Sequence, residues 1–238
     1  MKVACTVLEG ESGGNPTDLL GKEIYMADRG YRGRPQRGER ADRQINAGHS
    51  RGLDAALSDT EAKIRKLKTE RIYAFDQNGK EISHSTKGTS TSTKLPSGYN
   101  YKDAILTHNH PGEGLDSNIA GRIGRSFSSA DIATTVINNA SEIRAITGSY
   151  TYSMKRPKNG WGISTQRQAV NVARKIKDRR MKYFNSYVAK PSSDYTHGRM
   201  SREQLSIAWD RADVVSTNKA LREVAKELGW NYTRKRTS

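Results

Sequence analysis

The sequence predicts an α/β fold, with a three-layer core in which helices flank a mixed sheet. Short apolar runs typical of strands lie at 72–75, 104–107 and 143–147. Segments with helical periodicity lie at 59–68 and from residue 128 onward. Because strands and helices alternate along the chain, the pattern favours helices packed on the faces of one sheet.

The first predicted elements are a helix and a β-hairpin. Residues 59–68 carry apolar side chains at helical spacing. Residues 72–75 then form a strand, and the turn-forming residues Asp76-Gln-Asn-Gly79 lead into a second strand at 80–82. Glu70 lies at the entrance to the first strand of this hairpin.

The apolar run 104–107 predicts a buried strand that ends in His108-Asn-His-Pro111. Because alternate side chains of a strand point to the same face, His108 and His110 share a face. Pro111 ends the hydrogen-bond ladder because it has no N–H to donate. The two histidines are thereby placed at a strand end, a usual position for a site on an α/β scaffold.

Ser128 and Asp131 allow two interpretations. Ser followed by an acid three residues later, before an apolar-periodic segment, is typical of a capping box that only starts a helix. Alternatively, Asp131 joins His108 and His110 in a three-ligand set with one coordination position left open, which is the make-up of a catalytic zinc site. The nearby histidines favour zinc. A hydrogen-bonded histidine pair and an HNH nuclease are the alternatives, although the acidic ββα context of such nucleases is not evident.

His-x-His-Pro followed by Ser-x-x-Asp resembles the JAMM (MPN) zinc metallohydrolase family, and is most similar to its RadC-type and phage-borne prokaryotic branches. The resemblance covers roughly residues 58–162. One departure is the connection 112–126, which is longer than the family usually has between the proline and the serine. An inserted loop at this place acts either as a substrate lid or as a block.

The resemblance implies a role for each matched residue. His108, His110 and Asp131 would bind Zn²⁺, which lowers the pKa of water at the site to roughly 7. An upstream glutamate would take the proton from that water. We expect Glu70 in this role, with Glu81 as the second choice and an ordinary solvated charge as the alternative for Glu70. Ser128 would form a hydrogen bond with the zinc-bound water or with the developing oxyanion.

These expectations describe a zinc-dependent hydrolase of peptide or isopeptide bonds. A phage setting would suggest head or tail maturation, a toxin, or removal of a host defence conjugate. The alternative is a basic nucleic-acid- or capsid-associated binding protein with a structural or vestigial zinc site. Lys and Arg outnumber Asp and Glu by 41 to 25, giving a formal charge of +16, which favours a polyanionic partner.

The sequence divides into three predicted regions: a basic flexible N-terminal region at 1–55, the zinc hydrolase domain at 56–164, and a basic helical C-terminal extension at 165–238. In the extension, Pro191 is expected to end the first helix and Gly229 to cap the second.

The amino-acid composition also indicates where in the cell the protein is expected. A single cysteine, Cys5, excludes an intramolecular disulfide and fits a reducing cytosol. No window approaches the ~18–20 apolar residues that a membrane span needs. We therefore expect a cytoplasmic protein, in the host cytosol or associated with a virion if it is phage-encoded, with no membrane partner.

Overall fold

The computed structural model describes residues 42–111 and 124–237, with side chains from residue 52 onward. These residues form a mixed sheet of six strands and four helices. In chain order the elements are α1 (Asp42–Ile64), β1 (Ile72–Phe75), β2 (Glu81–His84), β3 (Ile105–Asn109), α2 (Ser129–Ile137), β4 (Glu142–Ile146), β5 (Tyr150–Lys155), α3 (Gln166–Thr196), α4 (Arg202–Glu227) and β6 (Asn231–Arg236).

The strand order in the sheet is β2-β1-β3-β4-β5-β6. β3 and β4 are parallel and are connected through α2, while every other neighbouring pair is antiparallel. The predicted α/β class and the hairpin of β1 and β2 are confirmed. The architecture is compatible with a three-layer core.

The two faces of the sheet pack against different helices. Ile105 of β3 contacts the α1 side, where it is buried with Leu57 and Phe75. The next residue, Leu106, belongs to the main core with Ile132 of α2. Because side chains alternate along β3, His108 lies on the α2 face, and Asn109 lies on the opposite face.

The bounds predicted for the first helix were wrong. It was expected over 59–68, whereas α1 spans Asp42–Ile64 and includes the predicted domain boundary at 55. The reason is that Leu57 is buried against the sheet, together with partly buried Leu53, so apolar contacts continue before the segment with clear periodicity. The rest of the predicted flexible segment, residues 1–41, lies outside the described residues.

The prediction that Pro191 ends a helix was also wrong, since α3 continues to Thr196. Proline removes one helical hydrogen bond but leaves the turns on both sides intact. Trp209 of α4 contacts α3 on either side of Pro191. Its ring lies edge-on to Phe184, and its Nε1 donates to Ser192 Oγ at 3.4 Å. This packing holds the helix together across the proline.

Gly229 ends α4 as predicted, at φ +70°. Its N–H donates to Lys226 O, and Trp230 N–H donates to Ala225 O, the two bonds of a Schellman motif. Trp230 is buried against Trp161. The chain then forms β6, which pairs with β5. The C-terminal region was expected to be helical throughout, and β6 is an exception to that prediction. None of the described helices is long and apolar enough to cross a membrane.

Candidate metal centre

Three predicted ligands converge on the α2 face of the sheet. His108 is the second-last residue of β3 and is 2% exposed, and His110 follows two residues later on the same face. Their Nε2 atoms are 3.0 Å apart. Asp131, in the first turn of α2, places Oδ2 3.6 Å from Nε2 of His108 and 4.0 Å from Nε2 of His110. These residues form a group that can hold a metal ion.

The donor set fits a tetrahedral cation. With metal–ligand bonds of about 2.0–2.1 Å, neighbouring ligand atoms of a tetrahedron are about 3.3 Å apart. The separations of 3.0, 3.6 and 4.0 Å lie around that value, so small side-chain shifts would bring all three atoms to bonding distance. Two imidazole nitrogens and one carboxylate suit zinc, while leaving one tetrahedral position for water or substrate.

Asp131 also takes part in the capping box, so the two interpretations of Ser128 and Asp131 are compatible. Ser128 N–H donates to Asp131 Oδ2 at 2.7 Å, and Asp131 N–H donates to Ser128 Oγ at 3.1 Å. The cap therefore orients the carboxylate towards the histidines. Ser128 itself is exposed, and its hydroxyl hydrogen is not used by the capping bond.

Hydrogen bonding prepares His110 to bind through Nε2. Its Nδ1 lies 2.8 Å from the backbone carbonyl of Arg125. Because a carbonyl only accepts, Nδ1 carries the hydrogen, and the lone pair of neutral His110 lies on Nε2. Nδ1 of His108 is buried and makes no hydrogen bond of normal geometry within the described residues, although the backbone of Arg144 is near enough to raise its pKa.

Neighbouring charges oppose the effect of burial on the pKa of Asp131 and His108, but the charge of His108 reinforces it at His110. Burial disfavours ionisation of Asp131, but the neighbouring His108 and His110 hold the pKa of its carboxyl well below the ordinary value. Burial and the charge of His108 lower the pKa of His110 to about 4. For His108, burial is outweighed by the carboxylates of Asp131 and Glu70, and its pKa is raised. The group therefore favours an anionic Asp131 and a neutral His110, the forms that bind a metal.

Glu70 lies beside this group, as predicted. Ile72 is the partner of His108 in the β1–β3 ladder, and Asn109 N–H donates to Arg71 O at 3.3 Å. Continuing this register places Glu70 next to His110 on the same face. Independently, the pKa of Glu70 is raised to about 7 by burial and by the charge of Asp131, while His108 acts in the opposite direction. A carboxyl group with this pKa is suited to exchanging protons near neutral pH.

Asn109, between the two histidines, holds the segment that carries Glu70. Its Nδ2 donates to Thr69 O at 3.1 Å, and its Oδ1 accepts from Arg71 N–H at 2.7 Å. Between these bonds, Glu70 N–H donates to Thr89 O at 2.7 Å. The backbone is thus fixed at three successive residues. The sequence did not predict this role of Asn109, because its partners lie about 40 positions upstream.

Glu81, the second choice for the catalytic carboxylate, is not near the ligands. It pairs with Phe75 at the opposite end of β1 from Ile72, the residue that faces His108. Three residues of strand separate the two ends, about 10 Å. The exposed carboxylate of Glu81 instead accepts from Nδ1 of His84 at 2.6 Å.

A short segment of residues 124–127, here called the strap, lies beside His108 and His110. Gly124 lies at φ +73° and packs so closely on Thr147 that a Cβ would approach that side chain to 2.3 Å. Phe127 is buried, with its ring 6.4 Å from that of His108. The rest of the predicted lid or block, residues 112–123, lies outside the described residues.

No protein-family model, curated protein or solved structure matches the chain. The JAMM resemblance therefore stays a prediction from the motif.

Proposed function

We propose that this protein is a zinc-dependent hydrolase of peptide or isopeptide bonds. The observation that carries the proposal is the convergence of a two-histidine, one-aspartate donor set with the half-buried carboxyl group of Glu70 beside it. A structural zinc site would have a fourth protein ligand, whereas three ligands leave a position for water or substrate. No further His, Cys, Asp or Glu within the described residues joins the group.

Each side chain has a distinct part in this proposal. Zinc, held by His108, His110 and Asp131, supplies a Lewis acid that polarises a carbonyl and acidifies water. Glu70, on the same face as His110 and next to it in register, accepts the proton of the attacking water and passes it to the leaving amine. Ser128, exposed at the start of α2, has a hydroxyl hydrogen available for a developing oxyanion.

The alternative function is binding of nucleic acid or another polyanion. α3 supports it, because three exposed cations on its surface, Arg174, Lys177 and Lys182, make no ion pair within the described residues. Phosphate contacts of this kind would give binding that weakens steeply with salt. The two functions are compatible, since basic helices can deliver a hydrolase to its target.

Metal content is the first test. The purified protein should contain about one zinc per chain by mass spectrometry, and the His108→Ala/His110→Ala double variant should contain essentially none. A control variant, His197→Ala, removes an exposed histidine at the end of α3 and should keep its zinc. If the wild-type protein binds no zinc after reconstitution, the proposal that it is a zinc-dependent hydrolase is contradicted.

Cleavage is the second test. The zinc-loaded protein is incubated with a proteome-derived peptide library and with lysine-linked ubiquitin-like conjugates, and new amino termini are detected by mass spectrometry. Glu70→Gln should keep zinc and its melting temperature while losing cleavage by about 10²-fold or more, because the proton acceptor is removed. Glu81→Gln is the matched control and should cleave normally. Equal activity of Glu70→Gln and wild type would exclude Glu70 from the chemistry.

A further inference from the structure

The ring of His110 is oriented by the strap, through the bond between its Nδ1 and the carbonyl of Arg125. A partner of this kind sets which nitrogen of a histidine faces a metal and how the ring is turned. The carbonyl belongs to the backbone, so its position depends on whatever holds residues 125 and 126. Side chains of the C-terminal region bind both residues.

The first anchor is the carboxylate of Asp213 on α4. Arg125 Nε donates to Oδ2 of Asp213 at 2.5 Å, and Arg180 Nη2 of α3 donates to Oδ1 at 2.5 Å. The side chain of Asp213 is only 8% exposed. A buried carboxylate that accepts from two guanidinium groups has little freedom to move, so Arg125 is tied to the junction of the two long helices.

The second anchor involves the next residue of the strap. Ser126 Oγ lies 2.8 Å from the hydroxyl of Tyr232 on β6, and that hydroxyl donates to Asn218 Oδ1 of α4 at 2.6 Å. Phe127 then packs edge-on against the Tyr232 ring. The strap is therefore fixed at three consecutive residues by side chains that lie more than 80 positions later in the sequence.

We propose that Asp213 is a positioning residue of the metal centre and acts on His110 through Arg125. This inference rests on the proposed metal site. The C-terminal helices and β6 then form part of the centre, because they hold the carbonyl that orients one of its ligands. Loss of the carboxylate charge releases Arg125, the His110 ring loses its fixed orientation, and the metal binds more weakly.

The test is metal affinity, measured on purified full-length protein with Zn²⁺ against a chromophoric chelator and with Co²⁺ by its absorption spectrum. Asp213→Asn should weaken Zn²⁺ binding by about 10-fold, the lower end of the range found when a direct hydrogen-bond partner of a metal ligand is lost, because Asp213 acts on His110 only through Arg125. Asp213→Glu keeps the charge and should bind more tightly than Asp213→Asn. Tyr232→Phe keeps the ring but removes the second anchor, and should weaken binding about 3–10-fold.

Asp194→Asn is the matched control. Asp194 pairs with Lys190 and Arg199 near the far end of α3, so its loss should change the Zn²⁺ affinity less than about threefold. A lower melting temperature with unchanged affinity in both Asp213→Asn and Tyr232→Phe would show a merely structural role and overturn the inference. If Asp213→Asn does not fold, Arg125→Gln decides, because it removes the same ion pair from its half-exposed partner. It should weaken Zn²⁺ binding by about 10-fold, and unchanged affinity would overturn the inference. Wild type without affinity for Zn²⁺ or Co²⁺ would instead overturn the metal site itself.

Discussion

Asn109→Ala tests how the segment that carries Glu70 is held beside the candidate metal ligands. Asn109 is 1% exposed and makes two hydrogen bonds to this segment, with Thr69 O and with Arg71 N–H. Alanine removes both bonds and leaves a partly buried carbonyl and N–H without partners. At about 1–2 kcal/mol for each, the free energy of unfolding should fall by about 2–4 kcal/mol.

Urea unfolding followed by tryptophan fluorescence measures this change, because Trp161 and Trp230 are both buried in the core. Asn100→Ala is the control. Asn100 is exposed and makes a single local bond, from Lys102 N–H to its Oδ1, so its loss should cost under about 1 kcal/mol. Equal destabilisation by the two variants would refute the assigned role of Asn109.

The same variant separates metal binding from catalysis. β3 keeps its backbone ladder, and His110 N–H still donates to Ile146 O at 2.9 Å, so Asn109→Ala should retain Zn²⁺ within about threefold. Glu70 loses its fixed position, and cleavage should fall by about 10²-fold, since small displacements of a catalytic group are costly. Parallel loss of zinc and cleavage would mean that Asn109 positions the ligands instead.

Two further changes test the packing around the site. Gly124→Ala should destabilise the protein by about 2–4 kcal/mol, because it combines a left-handed backbone with a clash against Thr147. Gly160→Ala, also at positive φ but in open space, should cost only about 1 kcal/mol. Equal melting temperatures of the two variants would contradict the clash. Glu61→Gln should lower the free energy of unfolding, measured in urea, by about 2–3 kcal/mol, because buried Glu61 accepts from Arg144 at 2.5 and 3.1 Å. Asp194→Asn is the control and should cost under about 1 kcal/mol, because the cations that pair with Asp194 are exposed.

Much of the candidate site could be predicted because its residues lie in short local patterns. The strand period alone places His108 and His110 on one face. The capping box at Ser128 and Asp131 starts α2 and also aims the carboxylate. The hairpin signal sets the entrance to β1 two residues after Glu70, and the β1–β3 register brings that residue opposite the ligands.

The errors arose where local and tertiary preferences differ. Pro191 is a strong local signal for a helix end, but contacts of Trp209 on both sides of it keep α3 continuous. The segment before residue 59 lacks clear periodicity, yet Leu57 is buried against the sheet and the helix extends through it. In both cases packing against a distant element outweighed the propensity of a few residues.

The sequence by itself predicted the α/β class from its strand and helix periods, and the candidate ligands His108, His110 and Asp131 from a short motif. The choice of Glu70 came from the resemblance to the JAMM family. Only the tertiary structure decided that β6 completes the sheet, that Asn109 holds the Glu70 segment, and that Asp213 holds the strap. The physical reason is separation: Arg125 and Asp213 are 88 residues apart, and no periodicity or motif marks one as the partner of the other. A buried carboxylate meets its cations only when two long helices have packed against the sheet.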